Sequence, residues 1–350
     1  MAERVKFYNT SGQTLYVELG KRNNFVEGTP ECFDNDFDGH AKLTVIDVYG
    51  MFFPNGDTSG KPFMYFRHTD VEKNRYRFGN LVELGDDWLS PQKGVYHPDE
   101  VADTETPIHH YKKISDDPVI YGFSSDEKIL EARFYEDYFT MKEGDFFNIK
   151  AEPWKYTIYD HQSFYNNSSM ILQPSTFAGS FNGKPVLGLG SYDRFCVKRN
   201  VNGFENIKME YISFTGMGVR EDGRKELALV SAAFDGKIVA YYMIDGETPI
   251  ITDHVEIEAE WTHLPYVDDG TCVSKEVVFY FCGKEIHFEG KWGAKGFTKK
   301  PRIEKHGQSQ VFGTWYEGAE PYKHRIYYTI AENMGAYDHK LRELGFRVTD

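Results

Sequence analysis

The sequence predicts an all-β protein that folds as two consecutive antiparallel barrels or strongly bent sandwiches, with one short helix near the C-terminus. Apolar and polar residues alternate in many short segments, which is the period of a half-buried strand. Asn-Gly, Asp-Gly and Cys-Gly pairs separate these segments at roughly 8–12-residue spacing, as in sandwiches and barrels. The chain also has 27 Phe, 24 Tyr and 5 Trp. These aromatic surfaces must fill cores or line a cavity.

Strands are predicted along the whole chain from β-branched and aromatic residues in alternating runs. In the first half they cover residues 43–49, 63–68, 76–82, 129–135, 146–151 and 154–159. In the second half they cover residues 209–215, 226–234, 237–244, 255–261, 277–281, 284–289, 311–317 and 325–330.

The clearest hairpin joins residues 226–234 to residues 237–244 through Asp235-Gly236. Such a pair favours a type I′ turn, because both central residues tolerate positive φ. Cys282-Gly283 repeats this arrangement between residues 277–281 and 284–289, and Asn182-Gly183 and Asp222-Gly223 predict two further turns.

One helix is predicted from about residue 332 to 344, because Met334, Tyr337, Leu341 and Leu344 fall at helical spacing. Residues 166–181 are rich in Ser, Asn and Gly and contain Pro174. We therefore predict an N-terminal β domain in residues 1–170 and a C-terminal β domain in residues 171–350.

The charge balance narrows the classes of partner. The formal net charge is −14 and the isoelectric point is about 5.4. Nucleic acids and anionic membrane surfaces are bound through basic surfaces, so we expect neither as a partner. No segment approaches the ~20 apolar residues of a membrane helix, and the first residues lack a signal-peptide pattern. The four cysteines share no metal-ligand spacing. We expect reduced thiols, a cytoplasmic location and neither a metal nor a cofactor.

The first candidate site follows a Gly-rich strand. Gly188 and Gly190 alternate along it and leave space for another backbone or a ligand. Tyr192, Asp193 and Arg194 come next. A phenol, a carboxylate and a guanidinium can together protonate or polarise a carbonyl or an alkene. The alternative is a strand with small residues, a structural tyrosine and a surface ion pair.

A second candidate lies in residues 254–263, where Glu256, Glu258 and Glu260 share one face of a predicted strand. Buried together, they would raise one another's pKa and supply an acid and a base. The run also resembles the Glu-x-Asp-x-Glu strand of laminarinase-type glycoside hydrolases, with Glu258 in the place of the aspartate. The alternative is a solvated, charged strand face. His263, just past this strand, and Glu317, in the TWYEG segment, are secondary candidates.

The order of features in residues 181–318 resembles a known family. The GLGSYDR stretch, the hairpins after it and the late TWYEG strand are similar to the two-domain lipocalin-like family of carotenoid 1,2-hydratase, AttH and kievitone hydratase. The fungal lipocalin-like Diels–Alderases are similar in plan. In the family, a Tyr-x-Asp-His-x-Trp type stretch follows the glycines. Asp193 matches its aspartate, whereas Arg194 stands at the histidine, and Cys196 or Val197 stands at the tryptophan.

The resemblance implies two lipocalin-like barrels and a cofactor-free reaction such as hydration, cyclisation or isomerisation. Our first hypothesis is a cofactor-independent lyase or hydratase, isomerase or cyclase that acts on a hydrophobic small molecule in an aromatic-lined cavity. Tyr192 and Asp193 would transfer protons, and Arg194 would orient or polarise an oxygen. One alternative is a non-catalytic binding protein for an apolar ligand. A second is a glycoside hydrolase with a jelly-roll sandwich that uses Glu256 and Glu260.

Overall fold

The computed structural model describes residues 4–11, 16–20, 41–71, 74–77, 81–83, 105–112, 118–119, 121–126, 130–161, 168–198, 210–264, 269–294, 309–319, 321 and 324–349. Within these ranges the secondary structure is almost entirely β, with one short helix. The predicted all-β class is therefore confirmed.

The first thirteen strands are β1 Val5–Tyr8, β2 Tyr16–Gly20, β3 Ala41–Pro54, β4 Phe63–Asp70, β5 Arg75–Arg77, β6 Leu81–Glu83, β7 Glu105–Pro107, β8 His109–Lys112, β9 Tyr121–Ser124, β10 Leu130–Phe134, β11 Phe139–Glu143, β12 Phe147–Pro153 and β13 Thr157–His161. The remaining elements are β14 Ser168–Phe181, β15 Lys184–Lys198, β16 Tyr211–Val219, β17 Lys225–Ala233, β18 Ile238–Ile244, β19 Ile250–Thr252, β20 His254–His263, β21 Cys272–Phe281, β22 Lys284–Ala294, β23 Ser309–Glu317, β24 Ile326–Met334, α1 Asp338–Leu344 and β25 Arg347–Thr349.

The chain divides into two compact units. Unit 1 comprises residues 1–15, 82–93 and 206–350, and unit 2 comprises residues 16–81 and 94–205. The predicted boundary after residue 170 falls inside β14, which pairs with β12, β13 and β15. Since β15 in turn pairs with β3, residues 171–198 belong to the sheet of unit 2. The contacts thus divide the chain at a different place from the predicted boundary.

Unit 2 is built on one sheet with the order β7-β5-β4-β3-β15-β14-β12-β11-β10-β9-β8. Its inner face is strongly aromatic. The Phe52 ring lies 5.4 to 5.9 Å from the rings of Phe63, Tyr65, Phe147 and Phe177. Side chains from strands that are far apart in this order meet in one cluster, so the sheet curls around its own core.

Two glycines of β15 explain how closely its neighbour β3 approaches. A Cβ atom at Gly190 would lie 2.0 Å from the carbonyl oxygen of Tyr49, and one at Gly188 would lie 2.9 Å from the ring of Phe52. The space predicted beside these glycines is therefore filled by the adjacent strand and its side chain.

Unit 1 is built on a second sheet, with the order β1-β20-β21-β22-β23-β24-β16-β17-β18-β19. Its core again collects inner-face side chains from most of these strands, including Phe214, Trp261, Phe279 and Trp315. The pairs between these strands are antiparallel, and β25 joins β20 in parallel. The sheet therefore also curls around one core.

The short C-terminal helix is confirmed, but it begins later than predicted. Residues 332–334 belong to β24, where Met334 pairs with Tyr211 of β16. Gly335 then adopts a positive φ of 64° and ends the strand. Helix α1 runs from Asp338 to Leu344 and is followed by Gly345, which has a left-handed conformation. The residues predicted to form the first turn of the helix therefore pair as part of a strand instead.

Candidate functional site

The three residues predicted at the end of the Gly-rich strand do not share one face of the sheet. Tyr192 and Arg194 lie on the inner face of β15. The Tyr192 ring there is 4.8 Å from the Phe134 ring and 5.3 Å from the Arg194 guanidinium carbon. Asp193 lies between them in sequence and points to the outer face. The predicted proton-transfer pair Tyr192 and Asp193 is thus divided between two faces of one strand.

Asp193 belongs instead to a polar group on the outer face of β3, β4 and β15. The register places Asp47 of β3 opposite Asp193. Ser191 donates a hydrogen bond to Oδ1 of Asp193, and the Tyr49 hydroxyl also hydrogen-bonds this carboxyl group. His68 Nδ1 lies 2.8 Å from Asp47 Oδ1. We call Asp47, Tyr49, His68, Ser191 and Asp193 the carboxyl cluster.

The two carboxyl groups of this cluster have different surroundings. Asp193 is 3% exposed, whereas the side chains of Asp47 and His68 are 13% and 26% exposed. Burial raises the pKa of Asp193 from its usual 3.8 to about 8; the Asp47 charge adds to this, and hydrogen bonds from Ser191 and Tyr49 oppose it. At neutral pH most molecules therefore carry a proton on Asp193, which can act as an acid.

Sequence reasoning identified Asp193 but missed the other four members of the carboxyl cluster. They meet because β15 pairs with β3, and β3 with β4, although β15 lies far from both in the sequence. One signal was present: Asp47 is an acidic residue inside the otherwise uncharged, largely apolar run of residues 45–53. A charged side chain in such a run is costly unless it has a partner.

A second buried polar group lies in unit 1 around Glu226. The Arg220 guanidinium donates from Nε to Oε2 at 2.9 Å and from Nη2 to Oε1 at 2.6 Å. The Tyr242 hydroxyl donates to Oε1 at 2.5 Å, and His324 Nε2 lies 2.9 Å from Oε2. We call Arg220, Glu226, Tyr242 and His324 the Glu226 cluster. Its carboxylate is fully buried and has donors on both oxygens, as a buried charge requires.

Glu317, a predicted secondary site residue, adjoins this cluster through one neighbour. Lys284 Nζ is 3.4 Å from Glu317 Oε1 and 4.5 Å from the centre of the Tyr242 ring. The side chains of Lys284 and Glu317 are each 22% exposed. The structure thus places Glu317 on the solvent side of the Glu226 cluster, in a different unit from Asp193.

His263, the other secondary candidate, lies beside the helix. Its Nε2 atom is 3.5 Å from Asp338 Oδ2 in the first turn of α1, and both side chains are about one-third exposed. This contact places His263 next to α1, apart from the Lys284–Glu317 pair.

The glutamates of β20 have basic partners on the strands beside them. Arg4 Nη1 and Lys6 Nζ lie 3.8 and 3.2 Å from Glu256, and Arg347 Nε lies 3.8 Å from Glu260. The side chains of Glu256 and Glu260 are 32% and 57% exposed. This arrangement fits a solvated, ion-paired strand face better than two carboxylates directed at a sugar.

Unit 2 also holds a buried carboxylate in its interior. Arg67 donates from Nε to Glu143 Oε1 at 2.7 Å and from Nη2 to Oε2 at 2.9 Å, and the Tyr65 hydroxyl donates to Oε1 at 2.7 Å. The side chains of Arg67 and Glu143 are 1% and 0% exposed. Such a sealed, fully paired group has the character of a structural element. No local pattern in the sequence predicts this group, because its members come from β4 and β11.

The described ranges contain no group of three or more His, Cys, Asp or Glu residues that could hold a metal ion. Within the same residues, no helix has the length and apolar composition to cross a membrane.

Two solved structures are similar to most of this chain. One is an AttH candidate from Nitrosomonas europaea, with 12% identity and a TM-score of 0.39 over 86% of this chain and 94% of the other. The other is kievitone hydratase from Nectria haematococca, with 10% identity and a TM-score of 0.36 over 96% and 98%. Both carry names from the group that the sequence resemblance named. No family model and no curated protein matches the sequence.

Proposed function

We propose that this protein is a cofactor-independent enzyme that transfers protons on a hydrophobic small molecule, and that the carboxyl cluster is its site. The reaction class is that of a lyase or hydratase, or of an isomerase. The observation that carries the proposal is the buried Asp193 carboxyl group opposite Asp47, with the His68 imidazole on the other side of Asp47. An acid and a base then lie on one face of one sheet.

Asp193 is the acid in this proposal. Its pKa of about 8 keeps the proton on the carboxyl group at neutral pH. A general acid works best when its pKa lies near the working pH. The Ser191 and Tyr49 hydroxyls hold the carboxyl group in place and remain as hydrogen-bond partners when Asp193 gives up its proton.

His68 and Asp47 are the base. A carboxylate bound to one nitrogen of an imidazole fixes the ring and stabilises the imidazolium that forms when the other nitrogen takes a proton. The 2.8 Å contact between His68 Nδ1 and Asp47 Oδ1 has this geometry. Since His68 is more exposed than Asp193, it is also the member that water can reach.

The outer face that carries the cluster also carries apolar side chains. By strand alternation, Met51, Met64 and Phe66 lie on the same face as Asp47 and His68. The Phe66 ring is 6.5 Å from the Tyr49 ring and nearly parallel to it. Met51 and Met64 are buried and Phe66 is partly exposed, so in this proposal Phe66 is the apolar side chain that meets a hydrophobic substrate next to the polar groups. An aromatic-lined cavity around that substrate remains part of the proposal.

The same two groups support two related reactions. If Asp193 protonates one carbon of an alkene and His68 takes a proton from a water that adds to the next carbon, the result is hydration. If His68 instead removes a proton from a neighbouring carbon, the double bond moves and the reaction is an isomerisation. In both cases the proton gained by His68 returns to Asp193 through solvent, so no co-reactant is consumed.

The test uses deuterated water as the probe. The protein is incubated in D2O with a panel of apolar alkenes, allylic alcohols and enones, and each compound is recovered for mass spectrometry. We expect carbon-bound deuterium, or the mass of added water, in at least one compound. We also expect Asp193→Asn and His68→Gln to lower the rate about 100-fold. Tyr192→Phe is the matched control, because it alters the same strand on its inner face, and it should retain the rate.

Two results would contradict the proposal. One is unchanged exchange in Asp193→Asn and His68→Gln. The other is tight binding of a panel compound that is always recovered unlabelled, which would favour a binding protein for apolar ligands.

A further inference from the structure

Each unit contains one buried glutamate held by an arginine and a tyrosine. Glu143 in unit 2 and Glu226 in unit 1 are each 0% exposed. Each accepts Nε and Nη2 of one guanidinium, and a tyrosine hydroxyl donates to its Oε1 atom. A charge this deeply buried persists only with such a set of partners. The two groups therefore share a structural role. The group around Glu143 serves as the reference for the group around Glu226.

The group in unit 1 differs from this reference in two respects. It includes a titratable imidazole, since His324 Nε2 lies 2.9 Å from Glu226 Oε2. Its arginine is also nearer to solvent, because the Arg220 side chain is 22% exposed and that of Arg67 is 1% exposed. Neither difference is needed to keep a buried carboxylate paired, as Glu143 demonstrates. The side chains of His324 and Glu226 are themselves 2% and 0% exposed, so Arg220 is the member of the group that lies nearest to solvent.

The position of His324 depends on a glycine. A Cβ atom at Gly218 of β16 would lie 2.1 Å from His324 Cδ2, so only glycine at this position leaves room for the ring. On its other side His324 packs against the Trp315 ring, with 4.8 Å between ring centres. Trp315 is itself fixed by a hydrogen bond from Nε1 to the Met217 carbonyl oxygen. The imidazole is thus held in one orientation toward Glu226.

A partly exposed ion pair lies beside this group. The Lys284 ammonium lies over the Tyr242 ring and pairs with Glu317 at 3.4 Å, and both partners are 22% exposed. A partly exposed pair of this kind is screened by solvent. Rotation of the Lys284 side chain therefore costs little and would uncover Tyr242 and the carboxylate behind it.

We propose that the Glu226 cluster is a second proton-transfer site, separate from the carboxyl cluster, and that it acts on an apolar carbonyl compound. The His324–Glu226 dyad accepts a proton from the carbon next to the carbonyl group. The electron pair of that C–H bond forms a C=C bond while the π pair of the carbonyl group moves to the oxygen, where the cation of Arg220 balances the negative charge. In a carbonyl compound that has a C=C bond next to the deprotonated carbon, return of the proton to the far carbon of that bond moves the double bond into conjugation and completes an isomerisation in which no atom is gained or lost.

The probe for this site is 5-nitrobenzisoxazole, an uncharged and largely apolar carbon acid. A base removes its ring proton, the N–O bond breaks to form a nitrile, and the oxygen leaves as a coloured phenolate. The full-length protein should convert it faster than buffer alone. We expect His324→Gln to lower the rate about tenfold or more. Lys284→Met, which removes the covering ammonium group from the ion pair, should raise it.

The controls distinguish this site from unit 2 and from loss of folding. Tyr192→Phe and Tyr65→Phe, the latter being the counterpart of Tyr242→Phe in unit 2, should leave the rate unchanged. The proposal is overturned if the wild type does not exceed the buffer rate, or if His324→Gln retains the wild-type rate. Should His324→Gln fail to fold, Lys284→Met decides the question, because a purely structural cluster gives no increase.

Discussion

Asp193 and Asp47 lie directly opposite each other on the neighbouring strands β15 and β3. Asp193 is buried among hydroxyl groups, whereas Asp47 is bound to the partly exposed His68. Two carboxyl groups side by side repel each other when both are ionised. The pair therefore favours one protonated and one charged member, which is the distribution that acid–base chemistry requires.

The raised pKa of Asp193 predicts how stability depends on pH. In the unfolded chain this carboxyl group loses its proton near its usual pKa of 3.8, and in the folded protein near 8. Between these values the folded state binds more protons, so its contribution to stability falls as pH rises from about 4 to about 8 and then stays constant. One pKa unit corresponds to about 1.4 kcal/mol, so the total loss is at most on the order of 6 kcal/mol.

Urea titrations of the wild type and Asp193→Asn across this range would measure the effect. The free energy of unfolding of Asp193→Asn should fall less steeply with rising pH than that of the wild type. The variant should therefore become more stable relative to the wild type as the pH rises. Parallel curves for the two proteins would show that Asp193 has an ordinary pKa.

The buried ion pair of unit 2 should be important for stability. Glu143→Gln leaves the Arg67 guanidinium without its carboxylate in a fully buried position. Removal of one partner from such a pair costs about 3–5 kcal/mol. The exposed Lys150–Glu152 pair, with side chains 50% and 66% exposed, provides the comparison. Glu152→Gln should change the free energy of unfolding by less than about 1 kcal/mol. If both variants lose equally little free energy of unfolding, the buried Arg67–Glu143 pair is not important for stability.

Gly218→Ala should disturb His324 specifically. The added Cβ atom would lie 2.1 Å from the imidazole ring, so the ring must move and its contact with Glu226 must lengthen. We expect a loss of stability of about 1–3 kcal/mol, as for other overpacked cores. A shift of the His324 ring signals in an NMR spectrum would identify the cause. Gly60→Ala, whose Cβ atom would meet only Asp57 at 3.3 Å or more, should leave these signals in place.

Local patterns predicted the strands and hairpins well but not every turn. The hairpin between β17 and β18 forms as predicted. Its Asp235-Gly236 turn is not type I′, however, because among its residues only Gly236 has a positive φ. The loop closes through Ala233 and Lys237 and is longer than two residues. Asn182-Gly183 and Cys282-Gly283 do have positive φ at both positions, as predicted.

The candidate sites were predictable only in part. Strand alternation alone places Tyr192 and Asp193 on opposite faces, so this separation could have been derived from the sequence. The partners of Asp193 could not, because the meeting of β15 with β3 is a tertiary pairing that no local pattern encodes. The same is true of Glu226 and His324, which are brought together by the strands on either side of β16.

The protonation state of Asp193 in the folded protein is the quantity on which the proposed function depends most. Infrared spectra of the wild type minus Asp193→Asn, recorded across a pH series, would show it directly. We predict a carbonyl band of a protonated carboxylic acid at neutral pH that disappears with a midpoint near pH 8. If the spectra at neutral pH show a carboxylate band and no band of a protonated acid, Asp193 is already ionised and cannot be the acid.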